Sequence, residues 1–216
     1  MKKLLISALI VFLSAFGARS QETEEVHAQS EAVHTKTSTA VHIKTNILGL
    51  AAGIANAAVE IDFAKHWSVT LPVYFCAWDH FKSTIKFRTA SIQPEFRFWI
   101  NDKHNGFYTG IHFGAGHYNI AADGDYRYQD HNMKTPSLGG GLSIGYRLPI
   151  SRNNRWNMEF AVGAGAYLSH YDKFYNTPVT SNGLMISDYR FIYRGIDQAA
   201  ISFSYMFGGK TKEVKE

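Results

Sequence analysis

The chain has 216 residues, with 22 basic and 18 acidic side chains, 18 glycines and a single cysteine, Cys76. One cysteine excludes an internal disulfide, and the sequence lacks the Cys/His spacing of a zinc site, so we predict no metal and no cofactor. Outside residues 1–20 the chain carries 19 basic and 18 acidic side chains and has no Lys/Arg run, which argues against nucleic-acid binding.

Residues 1–20 have the pattern of a cleaved signal peptide. Two lysines precede an apolar run over 4–16, and small residues stand at Ala18 and Ser20, as signal peptidase prefers. A retained membrane anchor is the alternative, but it needs about 18 apolar residues. We therefore expect cleavage after Ser20 and export across the inner membrane of a Gram-negative bacterium.

Residues 21–40 are polar, and we predict a flexible periplasmic lead-in there. From residue 41 to residue 207 apolar residues alternate with polar or small ones, a period of two that predicts β-strands. The predicted strands span 42–50, 57–63, 67–77, 90–100, 107–116, 138–148, 156–168 and 199–207. A polar tail, 208–216, follows the last strand.

The connections between these strands alternate in length. The short ones are 65–66, 101–106 and 149–155, and the long ones are 79–87, 122–135 and 171–198. Outer-membrane barrels have short periplasmic turns and longer outer loops. The alternation therefore favours a membrane barrel with both termini in the periplasm.

Two arrangements of the alternating faces are possible. A soluble barrel would bury its apolar face, whereas a membrane barrel would turn that face toward lipid. The other face carries seven charged residues among many glycines and serines: Lys44, Glu60, Asp62, Glu95, Arg97, Arg147 and Glu159. Glycine weakens exposed strands, but it makes room inside a narrow barrel whose interior is filled by side chains. We therefore predict an eight-stranded antiparallel up-and-down transmembrane β-barrel, with these charges in an interior polar network.

Several short motifs occur in a recognisable order between Lys44 and about Tyr175. They are Lys44-Thr45-Asn46, Val59-Glu60-Ile61, Trp67-Ser68-Val69, Glu95-Phe96-Arg97-Phe98-Trp99, Gly141-Leu142-Ser143-Ile144-Gly145-Tyr146 and Asn157-Met158-Glu159-Phe160. On these motifs the chain resembles DUF3575, a family of bacterial outer-membrane proteins. The resemblance implies an outer-membrane barrel and brings no catalytic residues. Relatives in fimbria-associated settings would imply a role in assembly or anchoring.

A lipid A or phospholipid-modifying enzyme is the main alternative function. His112, His117 and Ser143 are the residues that suggest it, because a hydrolase needs a nucleophile beside a histidine base. His112 and Ser143 both belong to the face predicted to point inward, where a lipid headgroup would not reach them. Asp123, Asp125 and Asp130 could suggest a divalent ion, but solvated loop acids are the more common case. We therefore predict no catalytic site.

A side-chain-filled barrel of eight strands would not pass solutes freely, so function is expected in the outer loops. The longest, 171–198, is rich in aromatic residues: Tyr171, Phe174, Tyr175, Tyr189, Phe191 and Tyr193. Exposed aromatic residues at this density are typical of contact surfaces. We predict a structural or surface-interaction role, with outer-membrane lipid around the barrel and a cell-surface or fimbrial protein or a glycan as the partner.

Overall fold

The computed structural model describes residues 39–79, 82–177 and 183–208. The predicted signal peptide, most of the lead-in and all but the first residue of the polar tail lie outside these ranges. The described residues form ten strands: β1 Ala40–Asn46, β2 Ala55–Ala64, β3 Trp67–Cys76, β4 Ile85–Ile92, β5 Glu95–Trp99, β6 Gly106–Ala122, β7 Tyr126–Asp130, β8 Ser137–Pro149, β9 Trp156–Tyr175 and β10 Met185–Gly208. They also include a short helix, α1 (Ile47–Ala51), and a 3-10 turn, His131–Met133.

In the described ranges no helix is long and apolar enough to span a membrane.

The ten strands form one antiparallel sheet whose pairing closes into a ring. β10 pairs with β9 on one side and with β1 on the other, so Ser204 lies opposite both Asn157 and Lys44. β4 and β5 both pair with β3 and β6. β7 and β8 both pair with β6 and β9. The chain thus folds as an all-β ring with little helix, as the alternation predicted in outline.

The predicted strand 90–100 is divided in the structure between β4 and β5. Pro94 lies at the break, and proline has no backbone N–H with which to continue a ladder. The neighbouring backbone groups are still used, since Gln93 N donates to Pro72 O at 3.1 Å and Phe113 N donates to Pro94 O at 3.0 Å. The two pieces therefore keep the same neighbours across the interruption.

The first predicted strand, 42–50, extends too far, because β1 ends at Asn46. The Asn46 side chain accepts a hydrogen bond from Leu48 N at 3.1 Å and so caps the start of α1. Its backbone N–H donates to the Asn56 side chain at 2.6 Å, which ties the end of β1 to β2. The chain therefore turns into a helix where the apolar pattern alone suggested further strand.

The prediction that 171–198 is a loop is wrong. β9 continues to Tyr175 and β10 begins at Met185, and the two pair in register with Tyr189 opposite Tyr171. The predicted loop 122–135 likewise contains β7, which pairs with the end of β9. Aromatic residues favour strands and stabilise cross-strand pairs, so the sheet extends beyond the predicted ends.

The inside of the ring is polar and the outside is apolar. Side chains from opposite parts of the ring meet in the centre: Lys44 of β1 contacts Glu159 of β9, and Arg97 of β5 contacts Glu60 of β2. Phe113, which points the other way, is 57% exposed. The core of this fold is therefore built from charged, hydroxyl and aromatic side chains, with the large aliphatic residues on the outer surface.

The two ends of the ring also differ. We call the end with the 65–66, 100–105 and 150–155 connections the turn end, and the end with the β6–β7 and β9–β10 connections the hairpin end.

Candidate functional site

A cluster of six charged side chains fills the interior toward the turn end. It contains three cations and three anions: Lys44, Arg97, Arg147, Glu60, Glu95 and Glu159, each at most 5% exposed. Arg97 contacts all three carboxylates, with Nη1 2.7 Å from Glu159 Oε1 and 3.2 Å from Glu60 Oε2, and Nη2 2.7 Å from Glu95 Oε2. Lys44 Nζ lies 2.7 Å from Glu159 Oε2 and also pairs with Glu60. We refer to these six residues as the ion cluster.

Arg147 joins Glu60 and Glu159 at the centre of the ion cluster. Its Nη2 lies 2.5 Å from Glu60 Oε2 and 3.0 Å from Glu159 Oε2. Aromatic rings pack against the guanidinium groups, with Arg147 4.3 Å from the Trp99 ring and Arg97 4.4 Å from the Tyr108 ring. Buried charges are tolerated only when they are paired and hydrogen-bonded. Each of the six charges has an oppositely charged partner, although Arg97 Nε has no hydrogen-bond partner among the described residues.

Asp62, the seventh residue of the predicted network, lies beside the ion cluster and pairs with histidines. Asp62 Oδ2 is 2.9 Å from His42 Nε2 and 3.4 Å from His104 Nδ1. His104 lies in the 100–105 turn, where burial lowers its pKa below the ordinary value. Sequence analysis missed both histidines, although His42 stands two residues before Lys44 and so belongs to the same strand face.

A cavity of about 530 Å³ lies beyond the ion cluster, toward the hairpin end. Its lining includes Tyr74, Gln93, Tyr167, Asp197 and Gln198. Asp197 Oδ1 and Gln198 Oε1 have no hydrogen-bond partner within the described part of the chain. The size of this cavity and these two unpartnered polar atoms suit several water molecules or a small polar solute.

His112 and Ser143 do not form a catalytic pair in this structure. Ser143 Oγ donates to the Glu95 carboxylate, and His112 Nε2 lies 2.6 Å from Asp197 Oδ2. Both residues are buried, and no hydrogen bond joins them among the described residues. His117 lies apart from them, with Nδ1 2.8 Å from Asp130 Oδ2.

The three loop acids that could have suggested a cation site are dispersed. Asp123 accepts hydrogen bonds from Lys82 at 3.0 Å and Thr84 at 2.5 Å, and these bonds lower the pKa of its carboxyl group. Asp130 is occupied by His117, so at least two of the three acids have protein partners.

Five of the six predicted contact aromatics share one face of the sheet at the hairpin end. Together with two tyrosines of β7 they form what we call the aromatic face: Tyr126, Tyr128, Tyr171, Tyr175, Tyr189, Phe191 and Tyr193. The Tyr171 and Tyr189 rings stack with their centroids 5.5 Å apart, and Tyr128 meets Tyr171 edge-on at 5.8 Å. Phe174 points to the opposite face, where the Arg127 guanidinium lies 4.4 Å from its ring.

The polarity of the two sheet faces reverses along β9 and β10. On the outer face, Leu168 lies opposite Ile192, and the next outward pair is His170 opposite Arg190. On the other side of these strands Gly165 lies opposite Gly195, and the side chains of the aromatic face lie beyond this glycine pair, toward the hairpin. Apart from Arg194, opposite Ala166, the outward face of β9 and β10 is therefore apolar up to the pair Leu168–Ile192. Apart from Phe174, it is polar beyond that pair.

The family model described as "Protein of unknown function (DUF3575)" matches residues 23–207 of this chain. The chain belongs to this family. Searches of curated proteins and of solved structures found no match.

The DUF3575 match contains every site described above. Five of the six residues of the ion cluster stand inside motifs that carried the resemblance: Lys44, Glu60, Glu95, Arg97 and Glu159. Those motifs thus coincide with the charged interior of the ring, and the aromatic face adds an exposed surface at the hairpin end.

Proposed function

We propose that this chain is an outer-membrane β-barrel, exported through a cleaved signal peptide, with a structural or surface-interaction role. In this proposal β4 with β5, and β7 with β8, each occupy one position of the ring, which makes eight positions. The observation that carries the proposal is the inverted distribution of polarity: the ion cluster is buried and the large aliphatic side chains are exposed.

The exposed apolar surface is too extensive for a water-soluble monomer. Ile111, Leu142 and Ile144, on the paired strands β6 and β8, are 53%, 64% and 63% exposed, and similar residues continue around the ring. Soluble monomers rarely expose a contiguous apolar patch larger than a few hundred Å². A lipid environment removes this cost, because the outward side chains of a membrane barrel face hydrocarbon.

The reversal of face polarity supports a membrane boundary at the hairpin end. Below it the outward pair Leu168–Ile192 is aliphatic, and above it the outward pair His170–Arg190 is polar and basic. Basic and polar side chains suit the level of lipid headgroups, where aliphatic ones would be exposed to water. We infer that β9 and β10 continue past this boundary into the extracellular space.

The extended hairpin then presents the aromatic face to the outside of the cell. Tyr189 and Phe191 are among its exposed rings, and the Tyr171–Tyr189 stack holds part of this surface in a fixed arrangement. Aromatic side chains offer large contact areas at low entropic cost, which is why they are enriched at binding surfaces. A cell-surface or fimbrial protein, or a glycan, is the partner that this surface would fit.

Fractionation of the native organism tests the membrane proposal. We expect the mature chain in the outer-membrane fraction, and we expect its gel mobility to change on boiling, as for a folded barrel. Recovery of the mature chain as a soluble periplasmic monomer that does not bind detergent would refute the proposal. A urea wash of the membranes separates an integral protein from one that is only adsorbed.

Substitutions in the aromatic face test the surface role. The variant Tyr171→Ala/Tyr189→Ala should retain outer-membrane insertion and heat-modifiable mobility, but should lose surface adhesion or fimbrial assembly. Arg190→Ala, one residue along β10 and on the opposite face, is the matched control and should behave as wild type. Unchanged adhesion and assembly in the double variant would argue against an interaction role for this surface.

A further inference from the structure

A cluster of two histidines and one carboxylate lies on the outward side of the sheet, just beyond the end of the apolar surface. His131 begins the 3-10 turn, His170 belongs to β9 and Asp188 belongs to β10. One donor atom from each lies within 4.8 Å of the other two. We propose that these three residues bind a divalent transition-metal ion of the Zn²⁺ class, a function that goes beyond the proposed surface role.

The spacing of one pair of donor atoms is near that of two ligands on one ion. His170 Nε2 lies 3.0 Å from Asp188 Oδ2. Ligands at about 2.0–2.1 Å from a tetrahedral Zn²⁺ are about 3.4 Å apart, so this pair has to open by only a few tenths of an ångström. Three protein ligands would leave a fourth position for water.

A buried carboxylate orients His131 for metal binding. Asp172 is 2% exposed, its Oδ1 lies 2.6 Å from His131 Nδ1, and its Oδ2 accepts a hydrogen bond from Asn132 N at 2.9 Å. A proton on Nδ1 facing the carboxylate leaves the Nε2 lone pair free. Histidine ligands of metals commonly donate their other N–H to a carboxylate in this way, which fixes the tautomer and raises the basicity of the ligand.

The surroundings of His131 Nε2 agree with that tautomer. The Asn132 side-chain amide nitrogen lies 2.7 Å from Nε2, so the amide donates and the ring nitrogen accepts. A metal ion would take the place of this donor. The Asn132 side chain is exposed and can turn away without breaking the Asp172 contact, which is made by its backbone.

The two histidine rings stack with their centroids 3.8 Å apart and their planes 15° from parallel. Two neutral imidazoles can stack in this way, whereas two imidazolium ions would repel each other. To share one ion the rings must tilt apart. Among the described residues the His170 ring is hydrogen-bonded to the ligand Asp188 alone, so it can tilt without breaking a bond to a residue outside the site. The site is also accessible, since the Asp188 side chain is 57% exposed.

The donor set selects the class of ion. Two imidazole nitrogens and one carboxylate suit Zn²⁺ and neighbouring transition metals, whereas Ca²⁺ and Mg²⁺ prefer oxygen ligands throughout. Because the ligands come from three elements far apart in sequence, the ion would fasten the 3-10 turn to the β9–β10 hairpin beside the aromatic face.

Metal titration of the purified, untagged full chain in detergent tests the proposal. After treatment with EDTA, we expect one Zn²⁺ per chain in competition with a chromogenic chelator, and no competition by millimolar Mg²⁺ or Ca²⁺. His170→Gln and Asp188→Asn should each weaken binding at least about tenfold, and Asp172→Asn should weaken it about 10–100-fold through His131. His117→Gln changes another histidine–aspartate pair in the same region and should leave the affinity unchanged.

Heat-modifiable mobility of each variant shows whether it is folded. Should a ligand variant not fold, the absorption spectrum of Co²⁺ added to the wild-type chain provides an independent readout, with intense visible bands expected for a four-coordinate site. Absence of stoichiometric Zn²⁺ binding by the wild type, or wild-type affinity in both folded ligand variants, would overturn the proposal. Preferential binding of Ca²⁺ or Mg²⁺ would also overturn it. These results leave the membrane proposal intact, because that proposal depends on localisation and not on metal.

Discussion

Replacing Glu159 by Gln removes one of the two carboxylates that contact all three cations of the ion cluster. Arg97 Nη1 and Lys44 Nζ each lie 2.7 Å from Glu159, and Arg147 Nη2 lies 3.0 Å away. Each cation keeps a contact with Glu60, so the variant retains local pairing. What it loses is the balance of three positive and three negative charges within the ion cluster, which leaves the cluster with one excess positive charge.

The expected loss of stability follows from this single excess charge. Two unit charges about 4 Å apart interact by about 4 kcal/mol at an effective dielectric constant near 20. Removal of one partner from a buried ion pair typically costs about 3–5 kcal/mol. We therefore expect Glu159→Gln to lower the free energy of unfolding by about 3–5 kcal/mol.

Urea unfolding of the chain refolded in phospholipid vesicles, followed by gel mobility without boiling, measures this loss. Asp102→Asn, in an exposed turn, is the matched control and should change the free energy by no more than about 0.5 kcal/mol. The double variant Lys44→Met/Glu159→Gln restores equal numbers of charges. Its free energy of unfolding should be at least about 1 kcal/mol higher than that of Glu159→Gln, as expected for directly coupled sites.

Two results would refute this reasoning. The first is a free energy of unfolding for Glu159→Gln equal to that of the control, which would mean that the Glu159 carboxylate contributes little to stability. The second is a double variant that is less stable than Glu159→Gln by the whole loss measured for Lys44→Met alone. That result would mean that the two residues act independently, despite their 2.7 Å contact.

Three further predictions concern packing, pH and chemistry. A Cβ at Gly141 would collide with the backbone of β9, so Gly141→Ala should lower the free energy of unfolding by about 1–3 kcal/mol in the same urea assay. A Cβ at Gly124 meets nothing within 4 Å, so Gly124→Ala should lower it far less. Burial lowers the folded-state pKa of His104, so at low pH the unfolded chain takes up a proton that the folded chain resists. The free energy of unfolding should therefore fall as pH falls from about 7 to 5, and His104→Gln should make it less dependent on pH. His112→Gln and Ser143→Ala should leave the mass spectrum of lipid A unchanged, and an altered acylation pattern in either variant would revive the enzyme alternative.

The division of each strand into an inner and an outer face could be predicted from sequence, because it depends only on alternation. Glu95 and Arg97 alternate with Phe96 and Phe98, and this short-range pattern assigns the charged and the aromatic residues to opposite faces. Which carboxylate meets which cation could not be predicted. Arg97 contacts Glu159, 62 positions away, and that pairing depends on the order and stagger of strands around the ring.

The strand ends were predicted less well, for two different reasons. At Asn46 a side-chain cap starts a helix while apolar residues continue, so hydropathy alone gives no sign of the change. At the hairpin end the polarity of the faces reverses, so the alternation that marks a half-buried strand is interrupted near His170 even though the backbone pairing continues. A search for alternation alone therefore ends β9 early and starts β10 late.

The same reversal explains why the cluster of His131, His170 and Asp188 could not be found from the sequence. In the sequence, the acids grouped in one loop are Asp123, Asp125 and Asp130. The residues that meet are His131, His170 and Asp188, whose proximity depends on β9 and β10 continuing in register past the apolar surface. Once the outward face no longer has to be apolar, these positions can hold imidazoles and carboxylates. The extension of the hairpin thus creates both the aromatic face on one side and the proposed metal site on the other.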